Sequence, residues 1–202
     1  QLAASFLTNA LEIVTSHGKQ TPKTIRSRIT LSLQIADINF QLGEYVNNVA
    51  ILEELLPLTE TAEDKQSKAR VLYLLAKNYF FSGNQGEAMK RYNEVIPVAE
   101  ELNLPELLAI PYCAIGRAQC FMANFQQSIE YIEKGLDLLP ADEVLEQVYS
   151  LGVLAQSYAY IGRKREAFGA VDRLTQNYGD TPNELFQLYI QFYKASVYSM
   201  VG

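Results

Sequence analysis

LYLLAKNYFFSGNQGEAMKRY, residues 72–92, reads as two helices joined at Gly83. Upstream of the glycine, Leu72, Leu75, Ala76 and Tyr79 fall on one face of an α-helix, and downstream Ala88 and Tyr92 lie one turn apart on a second. Gly83 ends the first helix, because a residue without a Cβ enters the left-handed cap at little cost and allows a tight turn to an antiparallel partner.

The phrase recurs along the chain. FQLGEYVNNVAIL turns at Gly43, CFMANFQQSIEYI at Ala123 and AYIGRKREAFGAV at Gly162, and the sequence reaches Gly202 after YSM. The positions 43, 83, 123, 162 and 202 are separated by 40, 40, 39 and 40 residues. A fixed period of that size marks a stacked-repeat architecture. A small residue recurs seven positions before each turn, at Ala36, Ala76, Gly116, Ala155 and Ala195, where the two helices of a hairpin must approach closely. Another recurs five positions after, at Ala88, Ser128 and Ala167, followed by Tyr92, Ile132 and Val171. In the first hairpin Asn48 takes that small position, which predicts looser packing there.

The pattern L-x2-L-A-x2-Y…A-x3-Y, carried by Leu72, Leu75, Ala76, Tyr79, Ala88 and Tyr92 and echoed by Leu151, Leu154, Ala155, Tyr158, Ala167 and Val171, resembles the tetratricopeptide repeat. The resemblance implies an all-α fold, a right-handed α-α superhelix of antiparallel helical hairpins. It departs from the family in period, since the usual repeat has about 34 residues. The extra residues belong at the start of the first helices. Thr21-Pro22 and Thr181-Pro182 read as a capping threonine before proline, and Thr61 with Asp64 as a capping box, so these helices should run about 20 residues. Long-period arrays of this kind resemble those of multidomain bacterial regulators related to the maltose-regulon activator and other signalling ATPases.

The expected organisation is one array. Residues 1–16 form the second helix of a truncated repeat, 22–60, 62–101, 104–139 and 142–178 form repeats one to four, and 182–202 form the first helix of a fifth. Pro57 and Pro97 should bend or end their helices, Pro140 should stop one, and Pro111 should kink a long helix that begins near Pro105.

Composition narrows the function. Of 202 residues 49% are hydrophobic and 20% charged, enough for a substantial core. The net charge of −6 gives no basic field to attract a phosphate backbone, which argues against nucleic-acid binding. Cys113 and Cys120 lie two helical turns apart on one face, out of disulfide reach, and read as reduced, buried residues of a cytoplasmic protein. No stretch approaches the ~20 apolar residues of a membrane span, and the first residues lack the basic region of a secretory signal. A start on Gln1 and an end on Gly202 suggest a segment of a longer protein.

Catalysis needs convergent nucleophiles, bases or metal ligands, and the sequence has one histidine, no tryptophan and no HExxH, CxxC or GxSxG pattern. His17 reads as an exposed linker residue, and His17-Gly18-Lys19-Gln20-Thr21 lacks the leading glycine and preceding strand of a phosphate loop. The expectation is a non-enzyme with no catalytic, cofactor-binding or metal-binding residues.

What remains is surface. In tetratricopeptide arrays five positions of each first helix face the concave groove. That register transfers to Thr30, Leu33, Asp37, Phe40 and Gln41; to Arg70, Tyr73, Lys77, Phe80 and Phe81; to Ile110, Cys113, Arg117, Cys120 and Phe121; and to Val148, Gly152, Gln156, Ala159 and Tyr160. The resemblance thus implies an interaction scaffold that holds a peptide or partner domain through Arg70, Tyr73, Lys77, Phe80, Phe81, Arg117, Phe121 and Tyr160. A competing reading has the phenylalanines pack between helices. Lys77 and Arg117 share a repeat position and are expected side by side, about 10 Å apart, as a pair for an acidic group. The alternative function is a regulatory or self-association segment of a larger signalling protein, whether an ATPase, cyclase, kinase or transcription regulator. Its candidate surface is the last helix, where one stripe holds Leu185, Leu188, Tyr189, Phe192, Ala195 and Met200 and another Phe186, Ile190, Tyr193, Val197 and Tyr198. Phe186, Tyr189 and Tyr193 are the expected contacts of a homo-oligomer.

Overall fold

The computed structural model describes residues 2–17 and 21–201, with side chains at 6–15 and 21–201. The His17 side chain, the 18–20 linker and the Gly202 turn named above lie outside the described residues. Among those described, ten α-helices and no strand occur. They fall into two compact units divided between Leu107 and Leu108. Unit 1 contains α1 (Leu2–His17), α2 (Pro22–Gln41), α3 (Tyr45–Thr61), α4 (Lys65–Phe81), α5 (Gln85–Glu101) and a 3₁₀ turn at Pro105–Leu107. Unit 2 contains α6 (Ala109–Phe121), α7 (Phe125–Leu138), α8 (Val144–Tyr160), α9 (Lys164–Tyr178) and α10 (Glu184–Val201). The fold is all-α, built from antiparallel hairpins α2–α3, α4–α5, α6–α7 and α8–α9.

The period is visible in the backbone. Gly43, Gly83, Ala123 and Gly162 have φ of 79°, 86°, 61° and 77°, the left-handed conformation that ends the first helix of each hairpin. Ala123 bears a Cβ there at a cost of about 1 kcal/mol. A second set of left-handed residues, Glu63 and Asn103, both at φ 53°, follows α3 and α5. Asparagine is a known occupant of that conformation, but glutamate gives no sequence signal for it.

Capping shows where the first helices begin. Thr21 caps α2 in a reciprocal box with Thr24, and Pro22 is its first residue. The Thr61 assignment is corrected: Thr61 is the last residue of α3 and donates to the Pro57 carbonyl at 3.0 Å. Asp64 instead caps α4, accepting from the Ser67 amide at 3.0 Å and its hydroxyl at 2.8 Å, so α4 has 17 residues rather than about 20. Likewise Asn183, not Thr181, receives the amides of Leu185 and Phe186 at 3.0 and 3.2 Å and starts α10. Pro111 kinks no long helix. The helix expected there is split into the 3₁₀ turn and α6, which leaves Pro111 in the first turn of α6, where a missing N–H breaks no intrahelical bond. Pro57 and Pro97 lie inside α3 and α5, which continue to Thr61 and Glu101, whereas α7 stops before Pro140.

Each unit has its own core. Ile29, Leu33, Leu52, Leu55, Val71, Leu74 and Leu75 fill unit 1, and Ile129, Ile132, Val148, Leu151, Val171, Leu174 and Ile190 are central to unit 2. Full burial of such side chains contributes roughly 1.5–3 kcal/mol each before entropy is counted. The seam column is buried at Ala36, Ala76 and Ala155, each 0% exposed. Gly116 is tighter: a Cβ there would lie 2.9 Å from the Ile132 backbone nitrogen. Ala195 is exposed, because no second helix lies against that side of α10 within the described residues. The expected looseness at Asn48 is also corrected. Its side chain is 0% exposed and donates to the Ala36 carbonyl at 2.8 Å and to Asn78 Oδ1 at 3.1 Å, tying α3 to α2 and α4.

Candidate functional site

In unit 1 the transferred register brings side chains from two successive first helices together. Asp37, Phe40 and Gln41 from α2, and Arg70, Tyr73, Leu74 and Lys77 from α4, line an open cavity of about 500 Å³ closed at one side by Glu106 and Leu107. The i, i+3, i+4 spacing on each helix explains the convergence, since these residues occupy one face. Arg70 Nη2 lies 2.7 Å from Asp37 Oδ2, and both side chains are well exposed. An exposed pair of this type contributes only about 0–1 kcal/mol, so either member is free to exchange its partner for a ligand group. Lys77 Nζ sits 4.5 Å from the Phe40 ring centre and 5.5 Å from that of Tyr73. The ammonium is thereby positioned by ring quadrupoles.

The cavity continues into an aromatic edge. Phe40 packs edge-on against Tyr45 and Phe81 at 5.3 and 5.4 Å, Tyr45 stacks on Phe81 at 5.2 Å, and Phe80 meets Phe81 at 5.5 Å. Phe80 and Phe81 keep 37% and 48% of their surface exposed, so packing against one another does not bury them. Sequence reasoning missed Tyr45, which lies just after the turn and outside the transferred register. It also missed a cleft of about 530 Å³ in the same unit, lined by Thr8, Leu11 and Glu12 of α1, Arg28 and Ser32 of α2, and Leu55 of α3.

Unit 1 already buries Leu33 of this register in its core, and unit 2 buries more of it. Cys113, Val148, Gly152 and Ala159 are core residues, and burial pushes the Cys113 thiol up to about 12. The cause is the packing of α8, which meets α6, α7, α9 and α10 and so has little free face. Arg117 is largely buried and is ion-paired with Glu146, with Ser150 Oγ accepting from it at 3.0 Å. Its charge is balanced inside the unit, as is that of Arg70 in unit 1. Phe121 and Tyr160 are 88% and 55% exposed at the two turn ends. On α10, Tyr193 is a core residue whose ring fills the space over Gly152, Phe186 is half-buried, and Tyr189 packs on Tyr149 at 4.6 Å. The outward stripe of α10 is therefore formed by Leu185, Leu188 and Phe192, 50%, 64% and 58% exposed, rather than by Phe186, Tyr189 and Tyr193.

One role for the signature tyrosine emerges only in three dimensions. Tyr79 donates to Glu53 Oε1 at 3.0 Å, and Tyr158 donates to Glu133, each glutamate lying on the preceding second helix of the same unit. Arg91 joins the first pair, reaching Glu53 and Glu94 at 2.8 Å. Burial, then the bond to Glu133, pushes the Tyr158 phenol up to about 12. These contacts sit between helices and are structural. Among the described residues, no group of three or more His, Cys, Asp or Glu side chains is placed to hold a metal ion, and no helix is long and apolar enough to cross a membrane.

No protein-family model matches the sequence, and no curated protein matches it. Solved structures do. The nearly identical TPR-like repeats of a Podosopora anserina protein named as a kinesin light chain superpose with a TM-score of 0.58 at 20% identity, covering 90% of this chain and 89% of that one. A variant of the same protein gives 0.58 and 20%, with 90% and 88% covered. A likeness at that identity is one of fold: the chain is a TPR-like helical repeat array.

Proposed function

We propose that the chain is a protein-interaction scaffold that receives a peptide or partner domain in the groove of its first helices. The observation that carries this reading is the convergence in unit 1 of Asp37, Phe40, Arg70, Tyr73 and Lys77 on one open cavity. Its chemistry suits an extended segment with an apolar side chain against Phe40 and Tyr73 and an acidic group reaching Lys77 or Arg70. Aromatic residues and arginine are the types enriched where binding energy concentrates. Arg117, Phe121 and Tyr160 are assigned to the same role in unit 2, with Arg117 available only to a partner that displaces Glu146. The test selects peptides from a random library against the whole chain and measures their affinity for Tyr73→Ala and Lys77→Glu by fluorescence anisotropy. Losses of about tenfold or more support the groove. Selected peptides that bind both variants unchanged would refute it.

A second reading, a regulatory segment of a larger signalling protein that self-associates through α10, draws on the exposed Leu185, Leu188 and Phe192. Isolated apolar residues need no explanation, but three along one stripe form a patch. Sedimentation across a concentration series tests it: self-association abolished by Leu188→Lys with Phe192→Lys supports the reading, and a monomer at every concentration removes it.

A further inference from the structure

In unit 2 Phe121 and Tyr160, given to the groove above, stand beside Met122 and Ile161, two exposed apolar residues that the groove register does not use. At the α6–α7 and α8–α9 turns, Phe121, Met122, Tyr160 and Ile161 are 88%, 59%, 55% and 37% exposed. The two turns are held side by side by the Phe125 ring, which stacks on Tyr160 at 4.4 Å and 11°. This is an apolar patch on turns, where polar residues would cost nothing in stability.

Its border is basic. Arg163, Lys164 and Arg165 follow directly after the Gly162 turn, and all three are exposed. Arg163 is held in place by Glu166 at 2.8 Å and by the Tyr158 ring, 4.7 Å from its guanidinium carbon. Lys164 Nζ donates to the Val201 carbonyl at 2.7 Å, a bond to the negative end of the α10 dipole that leaves the ammonium charge uncancelled by any carboxylate in that contact. Residues 118–126 and 158–166, which form this edge, contain three cations and one acidic residue, Glu166, so the edge keeps a local charge of +2 in a chain of net charge −6. The edge is thus opposite in sign to the molecule that carries it, which is the condition for steering an acidic partner to one place.

We propose that this turn edge is a second interaction surface that docks an acidic amphipathic segment of another protein. Apolar side chains of that segment cover Phe121, Met122, Tyr160 and Ile161, and its carboxylates meet Arg163, Lys164 and Arg165 as charge-assisted hydrogen bonds. An anionic membrane is disfavoured as the occupant, because the rest of the chain is acidic and would be repelled by the same lipid surface. The surface is distinct from the unit 1 groove, so each can fail without the other.

The probe is a fluorescein-labelled synthetic peptide of alternating Glu and Leu/Phe character, titrated with the whole chain at two salt concentrations. Controls are a peptide with the apolar positions changed to Ser and one with Glu changed to Lys. Binding of the first alone, weakened by salt and reduced about tenfold or more both by Phe121→Ser with Met122→Ser and by Lys164→Gln with Arg165→Glu, where Gln keeps an N–H for the Val201 carbonyl, is the expected result. These side chains are exposed, so thermal midpoints of the variants should stay near that of the parent and exclude misfolding as the cause. Three results overturn the proposal: unchanged affinity in both turn variants, loss instead on Tyr73→Ala and Lys77→Glu in the groove, or binding to phosphatidylserine vesicles without binding to the peptide.

Discussion

Asn48 and Asn78 in unit 1 occupy the repeat positions that Ser128 and Ser157 occupy in unit 2, five residues after one turn and five before the next. Each pair is fully buried and bonded across successive hairpins, the amides at 3.1 Å and the hydroxyls at 2.9 Å. The amide pair extends to the backbone, with Asn48 donating to the Ala36 carbonyl and Asn78 to that of Leu74, yet Asn48 Oδ1 has no hydrogen-bond partner. The hydroxyl pair is smaller and either oxygen can donate. In the last hairpin the same positions hold Ala167 and Val197, both 0% exposed and without polar atoms in their side chains. At these positions polar side chains occur as bonded pairs, and the larger pair is the more demanding because one of its polar atoms is left without a partner. A buried polar group that loses its partner costs about 1–3 kcal/mol, whereas replacement of both partners by apolar groups is close to neutral.

The largest expected effect breaks the amide pair. Asn78→Leu keeps the branch at Cγ but removes the acceptor of Asn48, leaves that amide with one bond in a buried interface, and sets two methyl groups where a planar amide was packed, for a loss of about 3 kcal/mol. Urea unfolding followed by circular dichroism measures it. The double change Asn48→Ala with Asn78→Val copies the Ala167 and Val197 solution and should cost less than Asn78→Leu alone. A double variant less stable than the single one would show that the positions are not interchangeable between units.

The second comparison concerns the hairpin seam. Unit 1 places Ala36 and Ala76 there, and unit 2 places Gly116 and Ala155. Gly116→Ala sets a Cβ against backbone atoms of α7 at 2.9–3.0 Å as well as against the Ile132 side chain, and backbone cannot give way as a side-chain tip can. A loss of about 1–3 kcal/mol is expected, larger than the ~1 kcal/mol for Ala76→Gly, where the cost is helix propensity. Gly135, whose Cβ would meet the Cys113 backbone nitrogen at 2.9 Å, should behave like Gly116. Thermal melts of the three variants rank them directly.

These sites show what was readable beforehand. The period, the left-handed turns at Gly43, Gly83 and Gly162, and the small seam column follow from local chemistry, a missing Cβ or a face of fixed spacing, and so appear in the sequence, whereas the turn at Ala123, which bears a Cβ, is legible only from the period. Thr21-Pro22 and Thr181-Pro182 carry the same local signal, and only Thr21 caps its helix. At Thr61 and Thr181 an equally good acceptor, Asp64 or Asn183, stood a few residues on, and competition between caps depends on where the preceding helix ends. In unit 1 the transferred register gathers Asp37, Phe40, Arg70, Tyr73 and Lys77 around the cavity but misplaces Leu33, which is a core residue. The register failed in unit 2 at Cys113, Val148 and Gly152 because the number of helices packed on α8 is a tertiary fact. The inward turn of Tyr193 was hidden for a related reason: it depends on the space over Gly152, a residue forty-one positions earlier.

The units should also part at high pH. In unit 2, burial holds the Cys113 thiol and the Tyr193 phenol up to about 12, and burial with the Glu133 bond does the same for Tyr158. Unit 1 has Tyr79 raised, first by burial and then by Glu53. In the unfolded chain these groups lose protons near 9 for cysteine and 10 for tyrosine. Above those values the unfolded state binds fewer protons than the folded state, so stability falls as pH rises from about 9 to 12. With more such groups, unit 2 should lose protection first. Hydrogen exchange read by mass spectrometry at pH 8 and 10, corrected for intrinsic rates, checks this; equal loss in both units would contradict it. Tyr193→Phe and Tyr158→Phe should flatten the dependence in unit 2.

The smallest expected effect tests whether the serine pair is a scaled-down version of the asparagine pair. Ser157→Ala deletes one hydroxyl from a fully buried contact and leaves Ser128 with a rotatable O–H. That hydroxyl can turn toward a backbone carbonyl one turn back in its own helix, a choice not open to an amide held by two fixed partners. The cost should be about 1 kcal/mol, below that of Asn78→Leu, and Ser128→Ala should cost about the same. If the two hydroxyls act only through each other, the double Ser128→Ala with Ser157→Ala costs no more than either single change. The cycle measured by urea unfolding then gives a coupling of about 0.5–1 kcal/mol. A coupling near zero would mean that each serine is there for its size alone, filling the small-residue position that Ala167 fills in the last hairpin, and that hydrogen bonding across this interface matters only in unit 1.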